Sequence, residues 1–294
     1  MLIAIKSHLP WWMRICAKLV LSRTPFAYKL WQRIGLFRHG YMDSADYALG
    51  VFDTHLSNAL LDKHALQGKT ILEIGPGDSI ATAIIAHAYG ARALLMYAGG
   101  FATDDVSSYQ PLCDQLASRG LPAPDISSAC SIDDILETCH SEYWTQGLSS
   151  WSSIPDESVD IVFSQAVLEH IHKHEFVQLQ HECHRVMKPG AVASHRVDLR
   201  DHLGGALNNL RFSESWWESD FFIRSGFYTN RIQINEMLRM FASVGFDVDV
   251  LEARRWEALP TLRRKMDSAF VSVPEEELNV SGFDVLLRKK QCAV

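Results

Sequence analysis

The chain has 294 residues, of which 47% are hydrophobic and 21% are charged, and its formal net charge is -7. These values describe a globular protein with a sizeable core, of a length usual for one α/β domain with additions. The acidic balance argues against a broad nucleic-acid surface, so we expect no nucleic-acid partner. The six cysteines form no C-x-x-C pair and no compact zinc spacing, which indicates reduced thiols and a cytoplasmic protein.

The first 42 residues combine apolar and aromatic residues with interspersed cations. Their apolar run is too short and too charged for a spanning helix, and it lacks the small-residue cleavage pattern of a signal peptide. Two interpretations stay open. One is a pair of amphipathic helices that pack over the core or form a lid. The other is a basic segment over residues 10–37 that makes peripheral membrane contact, with Trp11 and Trp12 at the interface.

The stretch 70–79 is an apolar run with an acid near its end, followed by a Gly-x-Gly turn, and a helical pattern continues over 80–89. It predicts a buried parallel strand, a tight turn and the start of a helix. Gly75 and Gly77 permit backbone angles and close ligand approach that a Cβ would hinder. Ligands of open α/β sheets bind at the carboxyl ends of such strands.

The remaining pattern alternates strands with helices. A helix is predicted to lead into the first strand over 43–69. Further strands are predicted over 91–97, 142–145, 159–164, 191–197, 246–253 and 282–288, and further helices over 112–116, 132–136, 176–187 and 232–244.

Three blocks resemble the class I S-adenosylmethionine (SAM)-dependent methyltransferases. Leu-Glu-Ile-Gly-Pro-Gly at 72–77 resembles their first motif. Pro-Asp-Glu-Ser-Val-Asp at 155–160, with Leu-Glu-His at 168–170, resembles the fourth-strand region of type 11-like enzymes that act on small molecules. Arg-Val-Met-Lys-Pro-Gly-Ala at 185–191 resembles the helix end before their fifth strand. No P-loop Gly-Lys-Ser/Thr follows the turn.

The resemblance implies a Rossmann-like fold: a seven-stranded, mostly parallel sheet with helices on both faces and the last strand antiparallel. The domain would cover 67–294, with a substrate insertion at about 198–229 and an N-terminal helical extension or lid over 1–66. It also implies an enzyme that uses SAM and releases S-adenosylhomocysteine.

The cofactor site that the resemblance implies has two departures from the family pattern. The acid that usually ends the second strand and binds the ribose is replaced by Tyr97, and the acid near the adenine is replaced by Leu148. The expected cofactor residues are Glu73, Gly75, Pro76, Gly77, Asp78, Ser79, Tyr97, Ala98, Gly99, Leu148, Ser149, Ser164 and Gln165.

Histidines supply the expected catalytic groups, because methyl transfer to a hydroxyl or amine requires removal of a proton. The candidate bases are His195, His202 and His170, and Asp198 could orient one of them. We expect no metal, because the chain has no H-E-x-x-H motif and no carboxylate appropriately placed to complete a histidine site.

The acceptor is expected to be a small or lipid-like molecule, methylated on oxygen or nitrogen. Aromatic residues over 216–228 favour an apolar pocket for it, although an insertion packed on the sheet with its charges paired is the alternative. A second alternative for the whole chain is a binding or scaffold protein that kept the fold and lost efficient SAM use, as the residues at Tyr97 and Leu148 would suggest. The oligomeric state is not predicted.

Overall fold

The computed structural model describes residues 41–290 of the chain. The segment 10–37, for which a lid and a membrane-surface helix were both considered, lies outside the described residues, as does most of the expected extension 1–66. The limits of the two predicted units therefore stay predictions.

Seven strands form one sheet: β1 (Thr70–Ile74), β2 (Arg92–Met96), β3 (Glu142–Trp144), β4 (Val159–Gln165), β5 (Met187–Asp198), β6 (Phe246–Arg255) and β7 (Val280–Lys289). Their order across the sheet is β3-β2-β1-β4-β5-β7-β6. The first five strands pair in parallel, and β7 runs antiparallel between β5 and β6. The predicted fold class is confirmed, with the antiparallel strand where the sequence placed it.

Helices cover both faces of this sheet. The longer ones are α1 (Ala45–Asn58), α2 (Ala81–Ala88), α3 (Gln110–Ser118), α4 (Ile132–Thr138), α5 (Phe176–Val186) and α8 (Ile234–Val244). The one-turn helices are α6 (Glu214–Trp217), α7 (Asp220–Ile223), α9 (Ser268–Val271) and α10 (Glu275–Leu278). Helices α1 to α4 share one apolar cluster, and α5 and α8 share the other.

Alternation along the central strands explains this two-sided core. Ile71 and Phe163 pack with α1 to α4, whereas Leu72 and Val162 pack with α5 and α8. All five residues of β1 are buried, as expected for a parallel strand covered on both faces. The carboxyl ends of β1, β2, β4 and β5 consequently meet at one edge of the sheet.

Two irregular segments, 199–233 and 256–279, pack together, and we call them the accessory lobe. Leu207 and Leu210 of the first segment share an apolar cluster with Met266, Phe270 and Leu278 of the second. The backbone amide of Asp267 donates to the carbonyl of Leu210 at 2.8 Å. The lobe is therefore held by contacts between its two segments as well as by the sheet.

Arg231 is the central polar residue of the accessory lobe. It is 5% exposed and has a positive φ of 59°. Its guanidinium donates to the carbonyl of Phe212 at 2.7 Å and to the carboxylate of Glu214 at 2.5 Å. It also lies 5.5 Å from the ring centroid of Trp217 and 5.2 Å from that of Phe270. One buried cation thus joins both segments of the lobe.

The antiparallel edge of the sheet is joined by the Asp284 carboxylate on β7. This side chain is 4% exposed and accepts two hydrogen bonds from Arg196 on β5, at 2.9 and 2.5 Å. Arg254 on β6 donates a third at 2.9 Å. The two guanidinium groups hold the pKa of Asp284 below its ordinary value against the effect of burial.

We expect Asp284→Asn to lower the free energy of unfolding by about 2 kcal/mol, because both arginines lose their buried counter-charge. Chemical denaturation at neutral pH measures the change. Asp247→Asn is the control, since its ion pair with Lys290 is exposed on both sides and should contribute little. Equal effects of the two substitutions would contradict this assignment.

Candidate functional site

The glycine turn after β1 is shaped by the chain segment that leaves β4. Gly75 and Gly77 have positive φ angles of 77° and 67°. A Cβ built on Gly75 would lie 2.4 Å from Cγ2 of Val167. Gly75 is therefore required by close packing of Val167 as well as by the turn itself, and the exits of β1 and β4 are in direct contact.

Glu73 sits at the carboxyl end of β1 with 1% of its surface exposed. Its Oε2 has no hydrogen-bond partner, and burial raises the pKa of the carboxyl from 4.5 to about 8. The Thr82 hydroxyl lies close enough to lower this pKa in part, but the two groups make no hydrogen bond of normal geometry. A buried carboxyl without a donor costs stability, which is typical of a position that a ligand completes.

At the end of β2, Tyr97 occupies the position of the usual acid. Burial raises the pKa of its phenol to about 12, and the charge of Asp78 contributes to the shift. Asp78 is 6% exposed. Asp105, which lies further along the chain, caps the turn that follows it by accepting from the amide and hydroxyl of Ser107. The carboxylate that interacts with Tyr97 is therefore Asp78, from the glycine turn.

The remaining predicted cofactor residues of this edge lie beside Tyr97. Ala98 forms a β-bridge with Gln146, and the amide of Gly147 donates to the carbonyl of Tyr97 at 3.1 Å. The short 3-10 segment Gly147–Ser153 carries Leu148, which packs against the apolar core, and Ser149, which is exposed. The structure therefore brings the 97–99 and 147–149 segments together at the edge where the family resemblance places the nucleoside.

Ser164 and Gln165, at the end of β4, each hydrogen-bond a buried histidine. Nδ1 of His195 lies 2.8 Å from the Ser164 hydroxyl, and Nε2 of His55 lies 3.2 Å from Oε1 of Gln165. His55, on α1, also contacts the Ser194 hydroxyl through Nδ1 at 2.8 Å. These contacts tie α1, β4 and β5 together just below the edge of the sheet.

His195 lies in the core, beneath the carboxyl edge of the sheet. It is 0% exposed, stacks on Phe241 of α8, and burial lowers its pKa to about 3. Its position follows from strand alternation: Ser164 and His195 are register partners on neighbouring strands and face the same side, toward α8. The imidazole is neutral and enclosed, and its Nε2 has no hydrogen-bond partner, so the catalytic role expected for His195 stays a prediction.

The other predicted catalytic residues come together at the ends of β4 and β5. Glu169, His170 and His202 have ligand atoms that all lie within 4.8 Å of one another. The rings of His170 and His202 stack with centroids 4.7 Å apart. Asp198 lies nearby, but its carboxylate accepts two hydrogen bonds from Arg200, at 2.8 and 2.7 Å. We call Glu169, His170 and His202 the edge cluster.

Glu169 was not anticipated as a member of this cluster: among the described residues a carboxylate does lie within ligand distance of two histidines. The expectation that the protein binds no metal stays a prediction. Glu169 is 2% exposed, and burial raises the pKa of its carboxyl to about 8. The backbone amides of Glu169 and Asp198 lower this pKa in part, yet neither carboxylate oxygen has a hydrogen-bond partner of normal geometry. The only sequence signal was its place beside His170.

The aromatic residues of the accessory lobe pack against one another. Trp217, Phe222, Phe227 and Tyr228 are all buried in one cluster with Leu203. This arrangement matches the alternative of a packed insertion with paired charges, and the predicted apolar pocket is not formed by these rings. Trp216 and Phe221 are the exposed large aromatics of this stretch.

Residues 137–194 match the family model described as a methyltransferase domain. They run from the end of α4 through most of β5 and include β4 and the turn that carries Glu169 and His170. The sheet has the seven strands and the antiparallel last strand that the resemblance implied. This central part of the chain is therefore similar to methyltransferase domains. The match agrees with the SAM cofactor that is expected from the sequence.

Several solved structures of low sequence identity resemble this chain. Phosphoethanolamine N-methyltransferase 2 of Haemonchus contortus, in complex with phosphomonomethylethanolamine and S-adenosylhomocysteine, is 15% identical with a TM-score of 0.43; the match covers 77% of this chain and 50% of that one. A SAM-dependent methyltransferase of Archaeoglobus fulgidus is 11% identical with a TM-score of 0.44, over 84% and 95% of the two chains. The protein spans about half the length of the Haemonchus enzyme.

A comparison with curated proteins gives no match for this chain. Within residues 41–290, no helix combines the length and the apolar character needed to cross a membrane.

Glu73 generates a pH prediction for the protein without cofactor. Because folding raises the pKa of this acid from 4.5 to about 8, the folded state holds a proton between these values that the unfolded state has lost. Stability therefore falls as pH rises through this window, by up to about 1.4 kcal/mol per pH unit for one such group. Glu73→Gln should flatten the fall between pH 6 and 8.

Denaturant unfolding at several pH values measures this slope. Glu142→Gln, at an exposed carboxylate on β3, is the matched control and should leave the wild-type slope unchanged. A Glu73→Gln protein that keeps the wild-type pH dependence would show that Glu73 is not protonated in the fold.

Proposed function

We propose that the protein catalyses SAM-dependent methyl transfer to the oxygen or nitrogen of a small or lipid-like acceptor. The observation that carries the proposal is the contact between the glycine turn and the exit of β4. Val167 packs on Gly75, and Glu169 and His170 follow two and three residues later. Glu169 and His170, which could bind an acceptor, therefore lie next to the glycine turn, which could bind the cofactor. Both are at the carboxyl ends of the strands.

The residues at this edge fit the cofactor in two respects. Glu73 leaves a buried carboxyl oxygen without a partner beside the glycine turn, where a cationic ligand would stabilise its charged form. Asp78 places a carboxylate close to Tyr97, which supports a role for Asp78 in place of the missing acid at the end of β2. The segments 97–99 and 147–149 would flank the nucleoside.

SAM supplies a methyl group on a sulfonium, so the leaving group needs no activation by the protein. The task of this chain is to align the acceptor with that methyl group and to remove the acceptor's proton. No covalent enzyme nucleophile is needed. His202 and His170 are the groups placed for the proton, since both lie in the edge cluster and both are exposed. His195 is left out because it is enclosed in the core.

His170 is held in one orientation by the accessory lobe. Its Nδ1 lies 2.9 Å from the carbonyl oxygen of Tyr228, which can only accept. The Nδ1 atom therefore carries the proton in the neutral ring, and the lone pair is on Nε2. A fixed imidazole of this kind supports a role in positioning or deprotonating an acceptor.

Calorimetric titration with SAM and S-adenosylhomocysteine tests the cofactor site. Gly77→Ala should weaken binding at least tenfold, which is about 1.4 kcal/mol, because a Cβ enters the turn. Gly68→Ala is a matched control: Gly68 has a similar positive φ of 73°, with open space around its Cβ position. Both variants should lose a comparable amount of stability, so a difference between their cofactor affinities reports on the binding site itself. Failure of folded wild type to bind either compound would contradict the proposal.

The transfer step is tested by S-adenosylhomocysteine formation with panels of phenols, carboxylates and amines, offered in buffer and in detergent micelles. With an acceptor that reacts, His202→Ala should lower turnover about 100-fold or more and leave SAM affinity unchanged. His174→Ala, an exposed histidine outside the edge cluster, should react as wild type does. Equal turnover of the His202 variant and wild type would remove His202 from the proposed mechanism.

A further inference from the structure

The edge cluster has a donor set that methyl transfer alone does not explain. One carboxylate and two imidazoles place ligand atoms within 4.8 Å of one another. A general base needs one histidine, not two stacked rings with a carboxylate beside them. Three such groups at this spacing match the protein ligands of a catalytic metal centre, which keeps further positions open.

Glu169 supplies a second, independent observation. Its side chain is 2% exposed, and both carboxylate oxygens lack a hydrogen-bond partner. Arg200 is the nearby cation that could neutralise it, but Arg200 donates to both oxygens of Asp198. A carboxyl group removed from water and left without donors is costly unless something completes its environment.

The turn that carries Glu169 and His170 is held rigidly by the accessory lobe. The Asn230 side-chain amide donates to the carbonyls of Leu168 and Ile171, at 2.8 and 3.0 Å. The Asn230 backbone amide donates to the carbonyl of Glu169 at 2.7 Å. The contact of His170 Nδ1 with the Tyr228 carbonyl leaves Nε2 as the ring nitrogen that carries the lone pair. Imidazole ligands of metals are commonly oriented by such a hydrogen bond from the other ring nitrogen.

A second group, His172, His174 and Glu175, also lies within ligand distance. Its carboxylate, on Glu175, is half-buried and already pairs with both imidazoles, at 3.5 and 3.9 Å. It contains no buried carboxyl without a partner. Among the described residues the edge cluster is therefore the better candidate, and the second group provides a control.

We infer that Glu169, His170 and His202 bind one divalent first-row transition-metal ion, with zinc and manganese best suited to two nitrogen ligands and one oxygen ligand. Open coordination positions would face the acceptor side of the proposed methyl-transfer site. Metal binding does not depend on methyl transfer, so this inference stands or fails separately from the proposed function.

The test is titration of the chelator-treated full chain with Zn²⁺ by calorimetry and with Co²⁺ by visible absorption. We expect one ion per chain. His202→Ala and Glu169→Gln should each weaken Zn²⁺ binding about 100-fold or more, and His174→Ala should bind as wild type does. The cobalt spectrum should report nitrogen and oxygen ligands and should change in the His202 variant.

Two results would overturn the inference. One is absence of metal binding by wild-type protein whose circular dichroism and unfolding transition show a folded chain. The other is binding that His174→Ala abolishes and His202→Ala preserves, which would assign the ion to the second group. SAM titration of the same samples keeps the outcomes apart, because a protein that binds SAM and no metal refutes only this inference.

Discussion

Two buried carboxyl groups, each with at least one oxygen that lacks a hydrogen-bond partner, mark the edge of the sheet where we propose that ligands bind. Glu73 ends β1 with 1% exposure, and Glu169 follows β4 with 2% exposure. Both have pKa values raised to about 8 by burial, so their charged forms are disfavoured until a cation arrives. The carboxyl ends of parallel strands bring the two groups to the same edge. The two buried carboxyl groups therefore lower the stability of the fold at this edge, and a bound cation would restore it.

A single turn links the two carboxyl groups. After β4 the chain passes through Ala166, whose positive φ of 54° is unfavourable for a residue with a Cβ. This conformation is held by a hydrogen bond from the Ala166 amide to the carbonyl of Arg196. Val167 then presses on Gly75, and Glu169 turns inward. Local backbone strain of this kind persists where the surrounding structure imposes it, and it often lies at functional sites.

The fold could be predicted from the sequence because the strand and helix patterns are clear over 70–97 and 154–198, and the predicted strands lie within a few residues of the observed ones. The sequence also indicated that His170, His202 and Asp198 lie near one another, because all three are at or shortly after the carboxyl ends of predicted strands. The burial of His195 could not be predicted because the side of the sheet that it faces depends on register: β5 is covered on both faces, and its pairing with Ser164 turns the ring toward α8. The contact between the Tyr228 carbonyl and His170 could not be predicted from the sequence, because the two residues are 58 positions apart.

The free-energy cost of these buried carboxyl groups argues against the alternative of a scaffold protein that no longer binds SAM efficiently. An unpartnered buried carboxyl costs about 1–3 kcal/mol, and a purely structural protein gains nothing from keeping one. Replacing Glu73 or Glu169 by an apolar side chain, or pairing either with a cation such as Arg200, would relieve that cost. The chain instead holds two such groups on either side of the Gly75 and Val167 contact. Tyr97 and Leu148 alter how a nucleoside would be held, but the buried carboxyls favour a protein that still binds a charged ligand at this edge.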